Sequence, residues 1–308
     1  MKYNSSSLIA AIKRNALIPT SQVKFSNEDF LTFLNEELQL TIVGELSALR
    51  QDYFITTIDT TLVASTSTYS IPVSAVGWKL EGIGYLDTNS KYTTLPIITR
   101  DQRSNYEGLT SANAPVAVYI LGNTIHTVPN MGSSVSGSIR FDLVRIQNEL
   151  VLETSCGKIS SVTDTGTDYQ MTVDTVPISD GDTCDVISGT NPFNIIARAV
   201  TCSVSGSVVS VTYASSFSRA PVANDYICAT GKTPYPNIPE DFHPVLAQAA
   251  TIRCLVAMND SKGIQTQAGS LQNMIKRMSD RASKRIANTP KKVVGNNYVL
   301  NMMRRRSY

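Results

Sequence analysis

The sequence predicts an α+β protein in which helices from the two ends of the chain form a helical bundle, interrupted by a large β-rich region. Apolar residues recur at steps of three and four in residues 1–54 and again in 237–288, as in helices that pack on one face. Residues 55–236 are instead rich in Thr, Val, Ser, Ile and Tyr, with frequent Gly and Pro. With 308 residues and a hydrophobic fraction of 42%, the chain is large enough for one large domain or two ordinary ones.

Two helices are predicted in the N-terminal part. We expect Ser5-Ser6-Ser7 to cap a short first helix, which Pro19 ends. A second helix begins at Ser26, because Ser26 and Asp29 have the spacing of a capping box, with Asp in place of the usual Glu. The apolar residues of this second helix define one face: Leu31, Leu34, Leu38, Ile42, Leu46 and Leu49.

The β-rich region divides into two parts, residues 55–150 and residues 151–236. Short runs in which apolar and other residues alternate are typical of strands. The apolar residues of two such runs are Val116, Val118, Ile120, Ile139, Phe141 and Leu143. We interpret the second part, residues 151–236, as a second β-domain inserted into the chain.

Two further helices and a tail are predicted at the C-terminal end. The first helix covers about residues 240–259, and the second covers about 262–287 and ends at Thr289-Pro290. The second helix has the cleanest periodic stripe of the chain: Ile264, Ala268, Leu271, Ile275, Met278, Ala282 and Ile286. Residues 289–308 follow as an extended basic tail. The helical bundle is therefore assigned to residues 1–54 and 237–288.

Charge is distributed unevenly along the chain. Residues 276–308 hold ten basic residues and one acidic residue, whereas residues 1–275 hold 17 basic and 24 acidic residues. Basic residues at 276–285 suit the C-terminal end of a helix dipole, which is a purely structural explanation. The Arg304-Arg-Arg306 cluster lies beyond Pro290, so that explanation does not cover it. A phosphate backbone and an acidic protein groove are both suitable partners, and the apolar residues mixed into the tail favour the protein groove.

The sequence contains no recognisable catalytic constellation, which predicts a structural protein without enzymatic activity and without a cofactor. Motifs of zinc proteases, of nucleophile elbows and of phosphate-binding or dinucleotide-binding loops are absent. Of the two histidines, His126 lies in a strand-like run and His243 lies at a helix start. We interpret both as packing or capping residues.

No metal site and no disulfide is predicted. The Asp180-Gly-Asp182 run with Asp185 offers oxygen atoms that suit Ca²⁺, but the same run is an ordinary turn between strands. The cysteines are scattered, odd in number and form no C-x-x-C pair, which favours buried free thiols. They are Cys156, Cys184, Cys202, Cys228 and Cys254.

No membrane segment is predicted either. The sequence has no apolar run near the ~20 residues that cross a bilayer. The N-terminal residues Met1 to Leu17 do not form a signal-peptide core, because Lys13 and Arg14 interrupt their apolar residues. We therefore expect a protein that is made and used in a cytosol.

Several short phrases resemble those of tailed-phage structural proteins. Thr68-Tyr-Ser-Ile-Pro72, followed by Val76-Gly-Trp-Lys-Leu80, resembles a phrase in which a Tyr-x-Leu/Ile-Pro motif precedes a strand. Ala114-Pro-Val-Ala-Val-Tyr-Ile-Leu-Gly122 is similar to the next segment, and Ile238-Pro-Glu-Asp-Phe-His-Pro-Val-Leu-Ala-Gln-Ala-Ala250 is similar to the helix that follows. The phrases occur in this order, and the resemblance covers most of the chain, from about residue 26 to 288. The chain thus resembles the head-to-tail adaptor proteins of podovirus-like tailed bacteriophages, also called connector or head-completion proteins.

The resemblance implies a virion structural protein that is assembled in the host cytoplasm and forms a homo-oligomeric ring at the head–tail junction. Such rings are typically twelve-fold, lie between the portal protein and a tail or nozzle protein, and let packaged DNA pass without sequence reading. The resemblance also implies that the C-terminal tail docks on the portal. The docking residues would be Lys291, Lys292, Leu300, Met302, Met303, Arg304, Arg305 and Arg306. Residues 151–236 depart from the shorter family members, and their role stays unassigned.

Two alternative functions remain open from the sequence. Another neck or tail-tube protein would share the β-rich middle but would bind the tail instead of the portal. A glycan-binding or depolymerising β-protein also fits the Ser/Thr-rich strands. It is less well supported, because the single tryptophan, Trp78, offers little aromatic surface on which sugars stack.

Overall fold

The computed structural model describes residues 3–19, 24–49, 54–107, 113–191, 194–212 and 217–282. Helices lie near both ends of the described chain and strands fill the region between them, which confirms the predicted α+β class. The α-helices are α1 (Ser5–Asn15), α2 (Asn27–Glu37), α3 (Val43–Leu49), α4 (Ser104–Glu107), α5 (His243–Met258) and α6 (Ser261–Ala282). Short 3₁₀ turns cover Arg100–Arg103, Glu153–Ser155 and Glu240–Phe242.

Side chains cap the first two helices. Asn4 caps α1, because its Oδ1 accepts a hydrogen bond from Ser7 N–H at 2.7 Å. The predicted serine cap was therefore wrong: the three serines already form the first turn, and a capping side chain must precede it. The capping box of α2 is confirmed. Ser26 Oγ accepts from Asp29 N–H at 3.2 Å, and Asp29 Oδ2 accepts from Ser26 N–H at 2.7 Å, which lowers the pKa of Asp29.

A π-helical turn, Leu38–Ile42, joins α2 to α3 and keeps their apolar face continuous. The apolar residues here are four positions apart, at Leu34, Leu38, Ile42 and Leu46. In a regular α-helix each step of four rotates the side chain by about 40° beyond a full turn, so repeated steps leave the core face. The wider i→i+5 turn offsets this drift. All four side chains are buried.

Helices from both ends of the chain share one hydrophobic core. Its buried members from α1, α2, α3 and α5 include Leu8, Ile12, Phe30, Leu34, Leu46, Leu246, Ala250 and Cys254. Met278 of α6 is buried in the same core, and Leu271 and Ile275 are partly buried against it. The part of the predicted α6 stripe that the structure describes therefore faces inward. Burial of each large apolar side chain contributes about 1.5–3 kcal/mol to folding.

Fifteen strands lie within the described residues between α3 and α5. They are β1 (Ile55–Thr61), β2 (Thr68–Ser70), β3 (Ala75–Leu86), β4 (Tyr92–Thr94), β5 (Ala117–Leu121), β6 (Thr124–Val128), β7 (Ser138–Arg145), β8 (Glu149–Leu150), β9 (Gly157–Asp164), β10 (Asp168–Val173), β11 (Thr183–Ile187), β12 (Ile195–Ser205), β13 (Val208–Thr212), β14 (Tyr226–Ala229) and β15 (Lys232–Thr233).

The first seven strands form two antiparallel sheets that share a core. Their orders are β1-β7-β3-β4 and β2-β6-β5. Ile83 from the first sheet and Ile125 from the second are buried in one apolar cluster. The alternation predicted for β7 is confirmed, because Ile139, Phe141 and Leu143 are all buried there.

The strands β9 to β14 form a closed barrel with the order β10-β13-β12-β11-β14-β9. Met171, Val186, Val209 and Ile227 belong to its buried apolar core. The chain enters the barrel after β8 and leaves it before β15. These two short strands pair in parallel, with Leu150 opposite Thr233, at the base of the barrel.

Candidate assembly site

The segment between β7 and β8 is held by hydrogen bonds to both a helix and the barrel. Five side chains make or organise these bonds, and we call them the junction network: Asn35, Gln39, Arg145, Asn148 and Asp185. Their partners lie far apart in sequence, so the network ties together the helical residues after Asn27, the end of the first sheet and the barrel.

Helix α2 and the π-helical turn after it each supply one amide side chain, and these two side chains hold β8 and the residues before it. Asn35 Nδ2 donates to the Leu150 carbonyl at 3.1 Å, and Leu150 N–H donates to Asn35 Oδ1 at 2.7 Å. One turn further on, Gln39 Nε2 donates to the Gln147 carbonyl at 2.9 Å. Because Asn35 satisfies both backbone groups of Leu150, it replaces a neighbouring strand at that position.

The barrel is held through a buried carboxylate on β11. Asp185 is 1% exposed, and its Oδ2 accepts from Asn148 Nδ2 at 2.7 Å and from Gly231 N–H at 3.1 Å. Its Oδ1 accepts from Ala199 N–H at 2.8 Å. Asn148 Nδ2 also donates to the Lys232 carbonyl at 3.3 Å. The carboxylate thus joins Asn148, which follows the last strand of the first sheet, to β11, to β12 and to the turn between β14 and β15.

Arg145 adds a positive charge beside this carboxylate. Its Nη2 donates to Asn148 Oδ1 at 2.8 Å. Burial lowers the pKa of Arg145 to about 10, and the negative charge of Asp185 opposes that shift. The guanidinium therefore stays protonated at neutral pH. It fixes the orientation of the Asn148 amide, whose oxygen accepts from Arg145 while its nitrogen donates to Asp185.

A second group of side chains lies between α2 and α5. Arg253 forms an ion pair with Glu36 at 2.8 Å and a second one with Glu37. Leu40 lies in the π-helical turn directly after α2 and Val256 lies one turn beyond Arg253 in α5, and these two side chains are 69% and 60% exposed. Large apolar side chains at that exposure, beside a fixed group of charges, are a candidate surface for contact with another protein.

The predicted tail residues cannot be placed in either group. All eight of them, from Lys291 to Arg306, lie outside the described residues.

The sequence reasoning also missed the junction network. Its best signal was the run of polar residues Gln147-Asn148 directly after an apolar strand, which is unusual for a segment that is buried.

The three carboxylates considered for Ca²⁺ serve different backbone groups. Asp180 Oδ1 accepts from Val204 N–H at 2.9 Å, Asp182 Oδ2 accepts from Ser179 N–H at 3.0 Å, and Asp185 belongs to the junction network. Within the described ranges, no group of three or more His, Cys, Asp or Glu side chains is arranged to hold a metal ion.

The thiols and the partly buried imidazole of His126 have packing roles. All five cysteines are free thiols in the structure, and all five are buried as predicted. His126 stacks on the ring of Tyr119, with ring centroids 4.8 Å apart. Among the residues whose structure is described, no helix has the length and apolar content needed to cross a membrane.

His243 is fully buried at the start of α5. Its Nδ1 accepts from Tyr3 N–H at 3.1 Å, so the proton of the neutral ring lies on Nε2, which is 3.2 Å from the Ile238 carbonyl. Burial lowers the pKa of His243 to about 4. The imidazole thus tethers the N-terminal segment to the helices near the other end of the chain, and it does so in its neutral form.

A comparison with protein-family models matches residues 3–293 to the family described as SU10 adaptor protein. The chain belongs to the SU10 adaptor protein family. This confirms the resemblance to phage head-to-tail adaptors that the sequence phrases indicate, and it identifies a phage structural protein and virion component. A search of curated proteins finds no match.

The matched interval of this SU10 adaptor covers the helical residues, both β-rich parts and the whole junction network. Residues 151–236 therefore lie inside the match. Lys291 and Lys292 also lie inside it, whereas Leu300 and the Arg304-Arg-Arg306 cluster lie beyond its end at residue 293. Family membership consequently supports an adaptor role for the body of the chain and does not extend to the last part of the tail.

Lowering the pH from 7 to 5 is expected to reduce the free energy of unfolding of this SU10 adaptor by about 2 kcal/mol through His243. The unfolded imidazole has its ordinary pKa of 6.5 and takes up a proton below that pH, whereas folded His243 stays neutral down to about pH 4. The contribution of neutral His243 to the free energy of unfolding is complete above pH 6.5 and is lost as the pH falls towards 4. Urea unfolding at both pH values measures it.

The variant His243→Gln should flatten this pH dependence, because Gln keeps hydrogen-bonding groups without titrating. His126→Gln is the matched control. His126 is only partly buried, so most of the dependence should remain in that variant. An undiminished loss of stability in His243→Gln would assign the effect to other groups.

Proposed function

We propose that this SU10 adaptor forms a homo-oligomeric ring of twelve copies between the portal and the tail of a tailed phage. One side of the ring binds the portal protein and the other side binds a tail or nozzle protein, so that the ring connects head to tail at the neck of the virion. Packaged DNA passes through its lumen during ejection. The observation that carries this proposal is the family match across residues 3–293.

The proposed ring assigns roles to the terminal regions of the chain. Residues 1–54 and 237–288 form the helical bundle that builds the ring wall, and residues 289–308 form the tail that docks on the portal. Residues 55–150 form the first β-rich domain, and residues 151–236 form the inserted β-domain. The shared core of the terminal helices supports the first of these roles, because it makes the two ends of the chain one packing unit.

The exposed surface around Leu40, Val256 and the Arg253 ion pairs supports the placement of the ring wall. A closed ring needs two different surfaces on each subunit, which meet between neighbouring copies. Leu40 and Val256 supply exposed apolar area on these helices, and the Arg253 ion pairs supply fixed charges next to it. Apolar side chains surrounded by polar ones are the usual composition of the centre and rim of an interface.

The charge of the body supports passage of DNA without tight binding. Residues 1–275 contain more acidic than basic residues. Affinity for the phosphate backbone depends on Lys and Arg side chains that replace counterions, so an acidic body lacks the charge that would hold packaged DNA in place.

The ring is tested by mixing the purified full-length chain with its portal ring and imaging the product by electron microscopy. We expect an additional twelve-fold ring on the portal. A chain that ends at residue 288 should keep its circular dichroism spectrum and lose portal binding. Failure of the full-length chain to form a ring on the portal under any condition would show that the proposal is wrong. Loss of tail binding alone in the shortened chain would favour the neck or tail-tube alternative.

A further inference from the structure

Cys156 and Cys228 lie side by side where the barrel closes. Cys156 directly precedes β9 and Cys228 lies in β14. Since Ile227 is opposite Gly157 in this antiparallel pair, the two cysteines face each other at the next position of the register. Their Sγ atoms are 2.8 Å apart, and both side chains are buried. Opposite residues of antiparallel strands have Cα atoms about 4.5–5.5 Å apart, which lies within the roughly 4.4–6.8 Å that a disulfide requires.

We propose that Cys156 and Cys228 are a disulfide-forming pair that locks the seam between the first and last strands of the barrel when the protein meets an oxidising thiol–disulfide pool. The oxidant is a small disulfide such as oxidised glutathione. The Cys156 thiolate attacks one of its sulfur atoms and releases one glutathione thiolate, which takes up the proton. The Cys228 thiolate then attacks Cys156 Sγ and releases the second glutathione. Two thiols are oxidised and one glutathione disulfide is reduced.

The position of the pair gives the cross-link a structural effect. Among the described barrel strands, β9 and β14 have the shortest pairing, with Tyr226 opposite Lys158 and Ile227 opposite Gly157. The two cysteines also belong to an apolar cluster with Tyr226 and Tyr235, which lies outside the barrel core. A covalent bond here would join the strand that begins the barrel to the strand that ends it. In the chain, β8 precedes β9 and β15 follows β14. The bond would therefore also fix the place where the chain enters and leaves the barrel.

The remaining cysteines are placed less favourably for cross-linking. Cys184 and Cys202 also interact, but Cys184 is opposite Val200 in the β11–β12 pair, so the two cysteines are diagonal neighbours and not opposite each other. Cys254 lies in the helical core. The geometry therefore selects Cys156 with Cys228 over the other pairings.

Burial makes the reaction of the folded protein slow at neutral pH. It raises the pKa of Cys228, and the hydrogen bond to Cys156 and the nearby Asp185 and Cys184 raise it further. The reactive thiolate is consequently scarce at pH 7. The second step needs the Cys228 thiolate, so the rate of this step should rise by about tenfold per pH unit below that pKa, because the thiolate fraction rises in that proportion.

The test exposes full-length protein to a buffer of oxidised and reduced glutathione in two ways. One sample stays folded at pH 8.5, and the other is unfolded in urea and then diluted into the same buffer, so that burial cannot protect the thiols. After denaturation, alkylatable thiols should fall from the five of the sequence to three. Peptide mapping should show Cys156 linked to Cys228. The urea midpoint should rise and return on reduction, because the link joins residues 72 positions apart and restricts the unfolded chain.

Two single-cysteine variants make the result specific. Cys228→Ala should abolish the thiol loss, whereas Cys254→Ala removes a buried thiol from the helical core and should leave the cross-link unchanged. Five free thiols in both samples, or a different dominant pair in the peptide map, would overturn the proposal. These outcomes do not depend on the proposed ring, because each is measured on the isolated chain.

Discussion

Replacing Asp185 with alanine is expected to lower the free energy of unfolding by about 4 kcal/mol. The substitution removes a buried carboxylate that accepts from Asn148, Ala199 and Gly231, and it takes away the negative charge beside the buried guanidinium of Arg145. A buried donor without a partner costs about 1–3 kcal/mol, and a buried cation that loses its neighbouring anion adds to this cost. Asn148 keeps the Lys232 carbonyl as a second acceptor, and Ala199 and Gly231 lie at exposed positions. Urea unfolding of the purified chain, followed by circular dichroism, measures the loss.

Asp182→Ala is the matched control, because it removes another carboxylate three positions away in the same strand-forming run. Asp182 lies on an exposed turn and accepts from Ser179 N–H. Its loss should cost at most about 1 kcal/mol. Asp185→Asn should fall between the two variants, since the amide keeps the shape and one oxygen but loses the charge. Equal losses for Asp185→Ala and Asp182→Ala would show that the junction network does not hold the barrel.

Part of this fold can be read from the sequence because burial leaves a periodic pattern. The apolar stripes at Leu31 to Leu46 and at Ile264 to Met278 were predicted from spacing alone, and the structure buries or partly buries them. The capping box at Ser26 and Asp29 was predictable for the same reason, because both partners lie within one helical turn. The repeated steps of four between Leu34 and Leu46 also contain the signal for the π-helical turn, which we did not recognise.

The rest depends on residues that are distant in sequence. Asn35 and Leu150 are 115 positions apart, and Asn148 and Asp185 are 37 positions apart, so no local pattern pairs them. The strand around Val118 was correctly predicted, but its neighbours Val116 and Ile120 are exposed while Val118 is buried. Alternation indicates that a strand exists, whereas the sheets that cover it decide which side chains are buried.

Reversing the charge of Arg304, Arg305 and Arg306 to glutamate is expected to weaken portal binding by about a hundredfold, or roughly 3 kcal/mol. Each change removes an attraction to an acidic groove and adds a repulsion, and an exposed ion pair contributes about 0.2–1 kcal/mol. Any remaining binding should depend less on salt, because fewer charge pairs are left to screen. Affinity is measured by surface-immobilised portal rings at several salt concentrations.

A charge-matched control separates docking by the tail from an effect of net charge. Lys262, Lys276 and Arg277 are exposed on α6, so reversing all three changes the net charge by the same amount without altering the tail. If the tail docks on the portal, this variant should bind within a few-fold of the unaltered chain. Equal weakening would mean that the portal senses overall charge. Unchanged affinity of the tail variant would mean that Arg304, Arg305 and Arg306 are a solvated end of the chain, and portal recognition would then belong to the body that the family match covers.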